Sequence, residues 1–313
     1  MAKKGVRHRR NFSSGILNHC YQRTVDGMLL FYSVSDFLVF FTIISVISRR
    51  YKVKILAMCL MPDHVHTSTV AENKRQLTMF VHEYSRLFAL LQNRLCKRSG
   101  HLFRTPFGSV PKYGPKKART NLIYVWNNGV ERQLCAKAEE YRWNFLAYAQ
   151  NEHPFSDPIV MSNASANLKK AIVAVKSRYD SDNYLNYNLL KRISKHLGKK
   201  ELDQLSDYII NLYNVIDYSA ATEFFDSYDD LLMATHANTG GEYDLNEVFL
   251  GKSDAWYSKI SAILMRELSL TDIHEVLSFT DDRKFEILKM LMAKTSAPPE
   301  QISAFLRLKV IKA

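Results

Sequence analysis

The sequence predicts an α+β protein: an antiparallel sheet with helices packed on one side, spanning about residues 1–150, followed by an all-helical region from 166 to 313. Three observations predict it. Short β-type runs alternate with helical periodicity in the first half. A stretch rich in proline and turn residues (150–164, QNEHPFSDPIVMSNA) interrupts the chain. Beyond it, strand signals nearly vanish. With 313 residues, 47% apolar and 24% charged, the chain can build a sizeable core or two domains.

Each element has its own signal. Residues 1–12 (MAKKGVRHRRNF) read as a basic arm. Residues 15–33 read as two strands around a turn at Asp26-Gly27, a hairpin pattern. Ser35-Asp36 caps a helix of about 14 residues that ends near Tyr51. Residues 53–60 (VKILAMCL) are apolar apart from Lys54, which suits a buried central strand, and Met61-Pro62-Asp63 breaks it before a strand from His64 to Val70. Residues 73–98 form a long amphipathic helix, 101–118 a basic loop or strand, and 119–128 another helix. Residues 151–165 form a linker. After it, Leu202, Leu205, Ile209 and Leu212 share one helical face, as do Phe285, Leu288 and Leu291.

Charge is uneven. Residues 1–150 hold 24 Lys and Arg against 8 Asp and Glu, a net +16, whereas residues 151–313 hold 19 against 23, a net −4. A basic half suits a polyanion, because bound lysines and arginines release counterions from phosphates. The longest mostly apolar run, Phe37 to Ile47, is too short for a membrane span and leads into Arg49-Arg50. No apolar segment follows the basic start, so no signal peptide is expected. Cys20, Cys59, Cys96 and Cys135 lack paired spacing and fit reduced thiols in a cytoplasm better than disulfides or a zinc site.

The chemistry concentrates in Met61–Val70 (MPDHVHTSTV). His64 and His66 flank Val65 on a strand, so both imidazoles share a face about 7 Å apart along the chain. Such a pair can converge on a divalent cation; the bland alternative is two surface histidines. Tyr124 and Asn128, four apart in NLIYVWNNGV, share a helical face if the segment is helical. They read as a nucleophile and a ligand, or else as a core aromatic and a helix-capping asparagine before Gly129.

Taken together and in order, these segments resemble the single-tyrosine HUH transposases, in particular the REP-associated tyrosine transposases, over about residues 15–148. His19-Cys20-Tyr21-Gln22-Arg23 resembles the family's first strand. Val53–Val70 resembles its strand leading into Met-Pro-Asn-His-Val-His, with Asp63 in place of the Asn. Gly100-His101-Leu102-Phe103 resembles Gly-x-Leu-Trp, with Phe103 for the Trp. Tyr124 to Asn128 resembles Tyr-Ile-x-x-Asn, and Glu140-Tyr141-Arg142-Trp143 matches Glu-Tyr-Arg-Trp. Asn128-Gly129-Val130-Glu131 departs from the family's Asn-Pro-Val-Arg.

The resemblance implies a ferredoxin-like HUH domain. It implies that His64, His66 and Asn128 hold Mg²⁺ or Mn²⁺, with Asn127 as the alternative to Asn128, and that Tyr124 is the nucleophile. It implies a single-stranded or hairpin DNA substrate cut through a 5′-phosphotyrosine, and it admits a homodimer. The rivals are a catalytically inactive, transposase-derived DNA-binding protein and an unrelated metalloenzyme acting on a small molecule.

Candidate DNA-backbone contacts are Lys3, Lys4, Arg7, Arg9 and Arg10 in the arm, Arg23, and Lys112, Lys116, Lys117 and Arg119 ahead of Tyr124, with solvated charge as the bland alternative. Phe107 and Tyr113 are candidates to stack on bases. Tyr84 is the competing nucleophile. Residues 286–308 faintly resemble a helix-turn-helix that would bring Gln301 and Arg307 to DNA, against a packed terminal helical pair.

Overall fold

The structure, a computed structural model, describes residues 11–237 and 253–308. The arm residues Lys3, Lys4, Arg7, Arg9 and Arg10 lie outside the described residues.

The first half folds as β1 (Leu17–Arg23), α1 (Val34–Tyr51), β2 (Lys54–Met61), β3 (His64–Val70), α2 (Lys74–Leu95) and β4 (Gly108–Pro111), and then α3 (Gly114–Glu131). The sheet order is β2-β3-β1-β4, with every neighbouring pair antiparallel. A βαββαβ chain in this order is the ferredoxin-like arrangement: β3 fits between β1 and β2 after the crossover through α1.

The helices divide between the two faces. Gln22 exchanges hydrogen bonds with Ser85 of α2, whereas Ser68 donates to Asn121 of α3 at 2.8 Å. Gln22 lies opposite Val65 in the β1–β3 register, and Ser68 opposite His19. Side chains alternate along a strand, so α1 and α2 cover one face, as expected from the sequence, and α3 covers the other.

The expected hairpin over 15–33 is corrected. Only Leu17–Arg23 is a strand, because both edges of β1 are taken, by β3 and by β4. The apolar run Met28–Tyr32 becomes a buried plug instead. Its Leu30 and Phe31 N–H groups donate to the Pro62 carbonyl. Leu30 and Phe31 enter the main core, and Leu29 and Tyr32 enter a second one. The cap of α1 also lies earlier than expected: Ser33 is the N-cap and Asp36 closes a capping box.

β4 needs a glycine. A Cβ on Gly108 would stand 2.0–2.5 Å from ring atoms of Tyr21, its partner across the strand pair. Gly108→Ala is therefore expected to lower stability by about 1–3 kcal/mol through overpacking. A thermal melt checks this, and an unchanged midpoint would refute it.

The carboxyl-terminal half is helical, as expected. Helices α4 (Ala166–Asp180), α5 (Tyr187–Ser194), α6 (Lys199–Tyr213), α7 (Tyr218–Thr222) and α8 (Tyr228–His236) share the main core with the sheet. The proline-containing segment before α4 is held down by the buried carboxylate of Asp207, which accepts from Tyr148 Oη at 2.7 Å, Phe155 N at 3.1 Å and Ser156 Oγ at 2.9 Å. The residues leading into α7 also cover the β2 edge, where Asp217 N donates to the Ile55 carbonyl at 2.8 Å.

Helices α9 (Ala255–Glu267), α10 (Asp281–Lys294) and α11 (Pro299–Leu306) form the second core with Leu29, Tyr32 and Cys96. Two of the periodic faces are corrected in detail. Leu202 and Phe285 are exposed, and the buried side of α10 carries Lys284, Ile287 and Leu291. The helix-turn-helix reading is corrected too: Gln301 is buried and donates to Ser253 O. Arg307 donates to Tyr32 Oη, Leu29 O and Gln92 Oε1. Both face inward because α11 is the surface by which this module docks on the plug. No helix among the described residues is long and apolar enough to cross a membrane.

Candidate functional site

The sheet face beneath α3 is polar, which is unusual for an interior. Pairing sets its membership. His64 lies opposite Arg23, His66 opposite Tyr21, and Ser68 opposite His19, so all six residues share the face. The two imidazoles meet edge to face, with ring centroids 4.8 Å apart.

α3 lays its own polar stripe over them. Gly114, with φ +79°, turns the chain, and Pro115 sits in the first helical turn. Asn121, Tyr124 and Asn128 recur at helical spacing and face the sheet. The Tyr124 ring packs edge-on against His66, with centroids 5.3 Å apart, and against His19 at 5.6 Å. Ser68 meets Asn121 and His66 meets Tyr124, so α3 runs opposite to β3. The next turn, with Asn128, proceeds toward the His64 end. Asn128 Nδ2 donates to the Tyr124 carbonyl at 2.8 Å, so an amide N–H is spent inside the helix and Oδ1 is the atom left to face a cation. Asn127 points elsewhere and donates to Thr235 O at 2.7 Å.

The helix does not end at Asn128, so the capping alternative falls away. It continues to Glu131 because residue 129 is glycine: a Cβ there would lie 2.9 Å from the Tyr141 ring. Tyr141 is structural, and its hydroxyl donates to the Leu60 carbonyl at 2.8 Å. Tyr84 is excluded from this site. It is buried on the other face among Phe40 and Phe80, and burial raises its phenol well above the usual range.

Electrostatics favour neutral, metal-competent imidazole at His66. Burial, then His64, His19, Arg23 and Arg132, push its basicity well below that of an ordinary histidine. His64 Nδ1 lies 2.5 Å from Asp63 Oδ1. Burial acts to raise Asp63, but the attraction and hydrogen bond of His64, with Arg132, hold it below the usual carboxylate range. Asp63, the departure from the family's Asn, thus anchors a histidine instead of facing solvent.

Among the described residues, no group of three or more His, Cys, Asp or Glu side chains forms a metal cage. The donor set still fits a divalent cation. Two buried imidazoles share a face, and the Nδ1 of each is occupied by a neighbour, the usual way metal-binding histidines are oriented. A cation bound here would complete its shell with amide, water or phosphate oxygens.

The basic candidates separate. Arg23 is exposed, opposite His64, at the rim of this face. Lys116 and Lys117 are exposed on the first turn of α3. Lys112 is half-buried on the β4–α3 turn, and its N–H donates to Leu17 O. Arg119 turns away from the histidines, pairing with Asp230 at 3.1 Å and lying over the Phe225 ring. Phe107 is buried, whereas Tyr113 is 62% exposed.

The site is closed. His64, His66, Tyr124 and Asn128 are each 5% exposed or less. The carboxyl-terminal module reaches its edge: Asp254 N donates to Arg132 O at 3.0 Å, and their side chains lie 3.7 Å apart.

The structure thus sets a histidine pair on a ferredoxin-like sheet beneath a helical tyrosine. Residues 34–150 match the family described as Transposase IS200 like. A solved structure of a REP-associated tyrosine transposase bound to a REP hairpin aligns at 15% identity, covering 44% of this chain and 81% of that one, with a TM-score of 0.38. No curated protein matches the chain. The family match begins at α1, so β1, with His19 and Arg23, lies outside it. His19 is the residue that sequence reasoning left without a role. Its alternation with Tyr21 and Arg23 was the available signal.

Proposed function

We propose that this transposase-family protein is a metal-dependent single-stranded DNA endonuclease and strand transferase in which Tyr124 forms a 5′-phosphotyrosine. The observation that carries the reading is the packing of Tyr124 against the His66 imidazole, 5.3 Å between centroids, across elements 58 residues apart in sequence.

The residues divide the work. Tyr124 Oη attacks phosphorus, a P–O bond to tyrosine forms, and the bond to the 3′-oxygen breaks. The proton lost by the phenol is balanced by the one gained by the 3′-hydroxyl. The phosphotyrosine conserves the broken bond, and a returning 3′-hydroxyl reverses the step or joins another strand. His64 and His66, with Asn128 Oδ1, would hold Mg²⁺ or Mn²⁺, which supplies charge stabilisation on the phosphate oxygens. Arg23 adds positive charge at the rim, and Lys116 and Lys117 are placed to follow the strand backbone. The substrate is a single-stranded or hairpin DNA.

The test is cleavage of a labelled single strand with Mn²⁺, with and without chelator. Chelation is expected to abolish cleavage. Imidazole nitrogen is a softer donor than carboxylate oxygen, so half-maximal cleavage is expected at a lower concentration of Mn²⁺ than of Mg²⁺. Cleavage that persists in chelator would refute the metal requirement. The closed site favours a second reading, a DNA-binding descendant that no longer cuts. It predicts tight binding of the same strand with no cleavage under any divalent ion.

A further inference from the structure

His66 has a partner of its own within the fold. His19 is wholly buried on β1, two residue pairs along from the Tyr21–His66 pair and on the same face. Its Nε2 lies 2.9 Å from Nδ1 of His66, and the two rings stack at 26° with centroids 5.1 Å apart. The same ring meets Tyr124 edge-on at 5.6 Å.

We propose that His19 is a positioning residue: its Nε2 accepts the Nδ1–H of His66 and so fixes that imidazole in the tautomer whose lone pair is on Nε2. The proposal rests on the reading of His66 as a metal ligand. A neutral imidazole carries one proton, and the hydrogen bond decides which nitrogen has it. Were the bond reversed, the proton of His66 would sit on Nε2 and disable it as a donor. Asp63 does the corresponding work for His64: an ionised carboxylate only accepts, so Nδ1 of His64 donates to it and Nε2 is the nitrogen left to face the cation. The two ligands are thereby oriented alike, one by a carboxylate and one by a neutral ring. A second carboxylate at position 19 would orient His66 equally well but would add negative charge beside the phosphodiester.

Fixing the tautomer also fixes the ring plane. His19 is pinned by the β1–β3 register on one side and covered by Tyr124 on the other, so one residue holds both the ligand and the ring of the nucleophile. The IS200-like match starts downstream of β1, so this contribution comes from the part of the chain outside it.

The experiment compares full-length wild type with His19→Gln, His19→Phe and His64→Ala. Mn²⁺ binding is titrated by electron paramagnetic resonance of the free ion, and the His66 tautomer is read from long-range proton–nitrogen correlations in the metal-free protein. The wild type is expected to show His66 protonated on Nδ1. His19→Phe is expected to lose that preference and to bind Mn²⁺ roughly 10–100-fold more weakly. His19→Gln, whose amide oxygen can accept the same bond, is expected to stay within about threefold of wild type. Melting curves separate these effects from loss of fold. An Nε2–H tautomer in the wild type would overturn the proposal, as would equal loss of Mn²⁺ in both His19 variants, which would make His19 a ligand itself. Undiminished Mn²⁺ binding by His64→Ala would instead sink the metal reading beneath it, so the two failures are distinguishable.

Discussion

Tyr124→Phe is expected to reduce strand cleavage by roughly 10⁴-fold or more, the scale on which losing a nucleophile is felt, while leaving DNA affinity within about twofold. The ring of phenylalanine keeps the edge contacts with His19 and His66, and removing one hydroxyl from a buried aromatic costs only about 1 kcal/mol. The variant should therefore fold and bind. The measurement is a labelled oligonucleotide run on a denaturing gel, where the wild type gives a protein-linked band and the variant none, beside anisotropy on the same strand. A linked band of undiminished intensity in Tyr124→Phe would end the nucleophile assignment. Two of the alternative phenols offer no refuge: Tyr84 lies on the opposite face and Tyr141 is bonded to the Leu60 carbonyl.

The second large effect lies away from the chemistry, where the carboxyl-terminal module docks. Asp36 closes the capping box of α1 and is wholly buried. It accepts from Tyr32 N at 2.8 Å and from Tyr187 Oη at 2.7 Å, and it lies 3.0 Å from Nε2 of His274. Asp272 takes the other nitrogen of His274 at 2.6 Å. Tyr32 and Tyr187 face the same imidazole, and Arg307 interacts with the Asp36 charge. Burial alone would deprotonate His274, but Asp36 and Asp272 outweigh it and raise it to about 10. Burial likewise acts to raise Asp36, and the charge and hydrogen bond of His274, with those of Tyr187 and Tyr32, hold it below its usual range. Asp36→Ala leaves this buried cation short of a partner, and such a loss costs about 3–5 kcal/mol.

The pH dependence has a definite sign. A histidine raised on folding contributes stability that is complete below its unfolded value, about 6.5, and disappears as pH rises through its folded value. A depressed carboxylate contributes above about 3.9 and loses its share as pH falls. The margin between wild type and Asp36→Ala is thus widest between about pH 4 and 6.5 and narrows toward pH 10. Urea denaturation midpoints measure it. A margin independent of pH from 6 to 10 would show that His274 is not the titrating partner.

Much of the site was legible before the fold was known. Strict alternation placed His64 and His66 on one face, and a four-residue interval placed Tyr124 and Asn128 on one helical stripe; both rest on local periodicity. The hairpin over 15–33 failed for a non-local reason: its alternation was real, but β3 and β4, arriving later in the chain, occupy both edges of β1. Gln301 and Arg307 failed similarly. Their helix is amphipathic, and nothing local tells a face that meets DNA from one that docks on Leu29 and Tyr32. Asp63 was ambiguous because a carboxylate beside a turn is usually solvated; its bond to His64 depends on how the turn closes.

By itself, the sequence determined the helices and strands flanking the chemistry, the basic character of the first half and the residue types available to hold a cation and attack a phosphate. These follow from composition and from periods of two and 3.6 residues, which each segment carries alone. Only the tertiary structure decided that His19 stands behind His66, that α3 lies on the sheet face opposite α1 and α2, and that His64, His66, Tyr124 and Asn128 are covered. Those facts depend on strand register and on which apolar faces find one another, and both are settled by packing between segments far apart in the chain.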